Sequence, residues 1–221
     1  MTTQDYLKTI SKSEKPFAIY KSNKGFDLYT NFSKKIILTN KNIHNFINKI
    51  SKHKPRRKKT DLFIGFFGYE ILNNLIGVKI KKQNAIKFPK GIFYKPEKRI
   101  KLPTRLNYKP TKFYKNNKIF SINLNKNSYT NIFNKFKKKI KSGETYQIKI
   151  CTKYKNNSQV DALDFFCRLV KSNMAPEAFM IKDKNYSIIS CSPENLITKK
   201  SNFITTKPIA GTLKKIKNLI R

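Results

Sequence analysis

The segment KNSYTNIFNKFKKKIKSGETYQIKICTKY, residues 126–154, changes its apolar period in mid-course. Up to Gly143, Tyr129, Ile132, Phe133, Phe136 and Ile140 recur at the three- and four-residue spacing of one helix face. Beyond it, Tyr146, Ile148, Ile150, Thr152 and Tyr154 alternate with Gln147, Lys149, Cys151 and Lys153, which is the two-residue period of a strand. Gly143 suits the left-handed residue that closes a helix. The spacing therefore predicts a helix over 128–142 and a strand over 145–154.

Downstream, Leu163, Phe166, Cys167 and Val170 mark a second amphipathic helix. AFMIKD, YSIISCS and ENLITKK follow as three strand-like runs, then FITTKPIAGT, with DKN and KSN between them as turns. Residues 186–199 are expected to form a hairpin-like pair. Upstream, KKIILT (34–39) reads as a strand. From Asn40, a candidate N-cap, Ile43, Phe46, Ile47 and Ile50 take up helical spacing. LFIGFFGYEIL reads as a buried strand interrupted by Gly65 and Gly68, and residues 83–118 are rich in Pro and Lys around the short pieces GIFY and KFY. A soft boundary near residue 125 divides the chain into 1–125 and 126–221. Helix, strand, helix and antiparallel meander in succession indicate an α+β fold.

The formal net charge is +37 over 221 residues. Phosphate binding would be the first reading of that number if the charge were clustered and rich in Arg. It is neither. The basic residues are spread along the chain, and only Arg56, Arg57, Arg99, Arg105, Arg168 and Arg221 are arginines. The single dense run, KHKPRRKK at 52–59, reads as a solvated loop. Nucleic acid is thus disfavoured as a partner, and a general drift of surface positions towards Lys explains the charge better. Cys151, Cys167 and Cys191 are odd in number and far apart, which argues against a disulfide framework or a zinc site and fits a reducing cytoplasm. No apolar run approaches the length of about 20 residues that a membrane span needs.

Four blocks in order, SGETYQIKI, SNMAPEAF, SCSPENL and TTKPIAGT, resemble the first half of the catalytic domain of the chorismate-utilising enzymes. The likeness is greatest to component I of anthranilate synthase and to its sister, component I of aminodeoxychorismate synthase. Upstream, FIGFFGYEILNN and FPKGIFYKPE resemble the N-terminal region of the same family. The resemblance implies an antiparallel-sheet-rich chorismate-binding fold, incomplete at the C-terminus. On it, 1–125 would be the family's N-terminal region and 126–221 the truncated first part of its catalytic domain.

The resemblance also implies roles. Gly211 and Thr212 of PIAGT would contact chorismate: a glycine lets the backbone approach the two carboxylates, and the threonine adds a hydroxyl and an N–H. Gln147 stands where family members that add water to the ring carry a lysine base. A neutral amide can position ammonia but cannot deprotonate water, so amination followed by loss of pyruvate is implied. Ala210 stands where many aminodeoxychorismate synthases carry a nucleophilic lysine, which leans the reading towards anthranilate synthase. The aminodeoxychorismate branch stays open because the N-terminal region is short and no LLES-like element is evident. Glu194 of SPE would support the pocket. SNMAPEAF departs from the family's Asn-Pro-x-Pro-aromatic segment at Met174 and Glu177.

Magnesium is implied as cofactor, with ligands expected beyond Arg221 and no metal residues in this chain. A glutamine amidotransferase subunit is the implied ammonia source. On this reading the chain is an inactive fragment of a longer enzyme. A basic nucleic-acid-binding domain and a non-catalytic binding module are the competing classes.

Overall fold

The computed structural model describes residues 3–22, 24–54, 58–78, 88–110 and 119–209. Ala210, Gly211 and Thr212 lie outside the described residues, as does the KFY piece. The chain separates into two compact units, residues 1–110 with 162–221, and residues 111–161.

The larger unit is built on a six-stranded sheet containing β1 (Phe17–Ser22), β2 (Gly25–Ile37), β3 (Ile64–Phe67), β4 (Gly91–Leu102), β7 (Glu177–Lys182) and β8 (Ser187–Ser192). Their order is β3-β4-β2-β1-β7-β8, and every neighbouring pair is antiparallel. The strand alternation sorts side chains onto two faces. On one face Phe17 and Ile19 of β1, Phe26 and Leu28 of β2 and Met180 of β7 are buried beneath Leu7 of α1 (Thr3–Lys12) and Leu163 and Phe166 of α5 (Ala162–Asn173). On the other, Ala18, Tyr29, Ile92, Tyr94 and Ile181 form a second cluster. A third cluster joins Phe46 of α2 (Ile43–Ser51) and Ile71 of α3 (Tyr69–Leu75) to Leu38 and Phe93. The fold is thus mixed α and β on an antiparallel sheet, as the α+β reading anticipated.

The smaller unit contains α4 (Lys126–Lys141), capped by the Asn125 side chain, which accepts from the Ser128 N–H at 2.8 Å. The helix stops as the sequence predicts. Gly143 adopts φ +74, and its N–H and that of Glu144 donate to the Ile140 and Lys139 carbonyls.

Several expectations need correction. Of the strand foreseen over 145–154, only its last residue is realised, in β6 (Tyr154–Lys155), which pairs with β5 (Ser121–Ile122). Alternation creates a two-faced strand only where a partner ladder receives it, and β5 offers two residues; Tyr146 is 92% exposed. Residues 186–199 do not pair with themselves. β8 pairs with β7, while β9 (Thr198–Lys200) pairs with β10 (Phe203–Thr205), so the turns at DKN and KSN are kept and the partners are exchanged. The helix after KKIILT is preceded by Asn42 rather than Asn40 as N-cap, and the Asn42 carboxamide accepts from the Thr39 N–H. LFIGFFGYEIL is a strand only from Ile64 to Phe67 and turns into α3 after Gly68. At Gly65 a Cβ would lie 2.0 Å from the Ile92 carbonyl oxygen, so β4 can approach β3 there only because the side chain is a hydrogen.

Candidate functional site

Glu194 follows β8 in an exposed turn closed by its neighbour Ser192. The Ser192 hydroxyl donates to the Glu194 carbonyl at 2.7 Å and accepts from the Glu194 N–H at 3.3 Å. This Ser-x-Glu geometry is a local hydroxyl turn, and it leaves the Glu194 carboxylate free of any role in closing the turn. Gln147 belongs to the smaller unit, in the exposed stretch after α4, where its own carbonyl accepts from the Thr145 hydroxyl at 3.3 Å. Of the four residues singled out in the sequence, Glu194 and Gln147 are therefore placed in different units, and Gly211 and Thr212 fall outside the described residues.

The turn carrying Glu194 is tied back to the sheet by a residue from another block. Glu177 opens β7 directly opposite Ser192. Its Oε1 accepts from Asn195 Nδ2 at 3.2 Å, and its Oε2 accepts from the Tyr20 hydroxyl at 2.8 Å. Tyr20 lies on β1 opposite Phe179, one diagonal step from Glu177 on the same face. Burial, and then the bond to Glu177, push the Tyr20 phenol up to about 12. Just before Glu177, the carbonyl of buried Ala175 accepts from Lys21 Nζ, and Met174 turns the chain with φ +46. The end of β1 thus holds the segment 174–177 at two points. Sequence reasoning marks Glu177 only as a departure from a family pattern and gives no sign of Tyr20, which is 157 residues away.

Two further buried acids organise the sheet. Asp183, in the β7–β8 turn, accepts from Lys35 Nζ at 2.6 Å, from the Tyr94 hydroxyl, and from the Tyr186 hydroxyl at 3.2 Å. Burial alone would raise its carboxyl, but the bonds from Lys35 and Tyr94 outweigh this and hold it below the ordinary Asp range. Asp27 is likewise buried, yet Arg99 and Lys101, each at 2.7 Å, keep it low. A cavity of about 610 Å³ opens beside the basic stretch, where Asp61 sits 3.4 Å from both His53 Nε2 and Lys95 Nζ. It includes none of the residues singled out for chemistry.

Among the described residues no group of three or more His, Cys, Asp or Glu side chains is arranged to hold a metal ion. No step is therefore assigned to magnesium on these residues. Among them, too, no helix is long and apolar enough to cross a membrane.

The profile of one protein family, described as chorismate binding enzyme, matches residues 6–219. The chain is similar to anthranilate synthase component 1 of Saccharolobus solfataricus, 35% identical over 89 residues, which is 40% of this chain and 21% of that protein. It is also similar to aminodeoxychorismate synthase component 1 of Salmonella typhimurium, 29% identical over 94 residues, covering 42% of this chain and 21% of that protein. A third relative is the anthranilate synthase component I-like protein of a Synechocystis species, 30% identical over 93 residues, covering 41% and 19%. The alignments span about a fifth of the length of these curated relatives.

Proposed function

Because this chain belongs to the chorismate binding enzyme family, we propose that it is part of an enzyme that aminates chorismate with ammonia and then eliminates pyruvate, in the manner of anthranilate synthase component I. The observation that carries the reading is the amide at Gln147. A carboxamide neither takes a proton from water at neutral pH nor adds covalently to the ring, but its two N–H groups and its oxygen can hold ammonia by hydrogen bonds. The methyl side chain of Ala210 supports the same reading, since it offers no nucleophile. Gly211 and Thr212 are proposed to receive the substrate carboxylates, and Glu194 to support the pocket through its turn. Within the proposal, Mg2+ is the cofactor, a glutamine amidotransferase subunit delivers ammonia, and the cytoplasm is the compartment. The division of the chain at 125/126 into an N-terminal region and the start of the catalytic domain belongs to the same proposal.

Amination without loss of pyruvate, as in aminodeoxychorismate synthase, is the second reading. Its specific support is the 94-residue similarity to the Salmonella component 1, as long as any to the anthranilate synthases named above.

The test is incubation with chorismate, a magnesium salt and an ammonium salt, with products separated chromatographically. Anthranilate supports the first reading and aminodeoxychorismate the second. Isochorismate as the main product would overturn both.

A further inference from the structure

The two oxygens of Glu177 face two donors that come from opposite directions. Tyr20 reaches one from β1, and Asn195 reaches the other from the turn after β8. β7 lies between those two strands in the sheet, so a single carboxylate bridges across three adjacent strands. A carboxylate has one acceptor oxygen for each donor, and a half-buried position strengthens both bonds. Pro193 and Glu194 are exposed, and Leu196 is 81% exposed, so hydrophobic packing does little to hold this turn. The Ser192 hydroxyl fixes its internal shape, and the Glu177–Asn195 bond fixes where that shape sits on the sheet.

We propose that Glu177 is a positioning residue: with Tyr20 as its anchor and Asn195 as its grip, it sets the place of the Ser192–Asn195 turn and thereby of the Glu194 carboxylate. The positioning itself is a matter of geometry, and only its bearing on chorismate rests on the function proposed above. Exposed turns without packing move on the nanosecond scale, so loss of the grip is read directly as local motion.

The experiment compares the chain with Glu177→Ala, Glu177→Gln and Asn195→Ala variants by backbone ¹⁵N relaxation, melting temperature and chorismate titration. In Glu177→Ala the order parameters of the Glu194 and Asn195 amides should fall from rigid values to below about 0.6, with the β7 and β8 amides unchanged. Glu177→Gln keeps one acceptor for Tyr20, and its NH2 can meet the Asn195 oxygen if that amide turns over, so it should restore most of the order. Chorismate should bind at least about fivefold more weakly to Glu177→Ala at unchanged melting temperature. If Glu177→Ala does not fold, Asn195→Ala, which cuts only the grip, carries the same relaxation test. A folded variant whose turn stays as rigid as the wild type would overturn the proposal. If the turn loosens but the wild-type chain binds no chorismate, the positioning role stands and the substrate reading fails.

Discussion

Lys35 and Asp183 lie 148 residues apart in sequence, yet Nζ and Oδ2 are 2.6 Å apart, so a surface-reaching lysine of β2 closes a buried carboxylate in the β7–β8 turn. The same carboxylate receives Tyr94 and Tyr186, and Lys184 donates its N–H at 2.7 Å. Because these donors hold the native carboxyl below its unfolded value, its contribution to stability is complete above the ordinary Asp pKa near 3.9 and is lost as pH falls through the native value. Asp27, held low by Arg99 and Lys101, acts in the same direction. Melting temperature should therefore be level near neutrality and fall below about pH 4. Asp183→Ala, which removes the acceptor shared by Lys35 and the Tyr94 and Tyr186 hydroxyls, should cost about 2–4 kcal/mol at pH 7 and flatten that acid limb. An acid limb unchanged in the variant would show that other carboxylates govern it.

Gly65→Ala tests the close approach of β3 and β4. The new methyl would meet the Ile92 carbonyl oxygen at 2.0 Å and the Phe93 Cα at 2.7 Å, both backbone atoms that cannot step aside without breaking the ladder. Destabilisation of roughly 2–4 kcal/mol is expected in chemical denaturation.

Met174→Gly should act in the opposite sense. Met174 is 80% exposed and sits after α5 at φ +46, where a side chain is strained and glycine is not. Relief of that strain, less the extra freedom of glycine in the unfolded chain, should stabilise by about 0.5–1 kcal/mol. A loss of stability would mean that the Met174 side chain makes a contact worth more than its strain.

β9 and β10 carry Phe203 at 77% and Ile204 at 69% exposure on a two-stranded ribbon. Such a ribbon is marginal by itself and its apolar side chains favour association. Phe203→Lys with Ile204→Lys should lower concentration-dependent association in sedimentation without lowering the melting temperature of the six-stranded sheet.

Gln147→Ala should reduce ammonia-dependent turnover in the enzyme at least tenfold if the amide positions the nucleophile, with chorismate affinity little changed. An unaltered rate would leave the amine-transfer reading without its principal support.

Much of the element pattern could be read locally. The helix ending at Gly143 and the second helix on Leu163, Phe166 and Cys167 follow from spacing alone, because a helix satisfies its own backbone. Strand pairing could not be read that way. Ile148 and Ile150 alternate as well as Phe179 and Ile181 do, but the latter have β1 and β8 beside them. Residue identity likewise pointed to Glu194 and Gln147, whereas the Tyr20–Glu177–Asn195 bridge depends on register between strands far apart in the chain. Asp183, which reads as no more than part of a turn, is the acid on which two tyrosines and a lysine converge.

The place of β1 inside the sheet also sets the order of events during synthesis. Phe17–Ser22 is flanked by β2, which follows it at once, and by β7, which begins at Glu177. At a translation rate of about 5–20 residues per second, roughly 7–30 s separate the appearance of these two neighbours. Through that interval one side of β1 exposes an unsatisfied ladder and its apolar face lacks the helix Ala162–Asn173 that covers it. Pairings of such long sequence separation close slowly even after release. The nascent chain thus passes through a stage in which the middle of the future sheet is a sticky edge, and binding by a chaperone over residues 17–37 should delay aggregation there more than anywhere else in the larger unit.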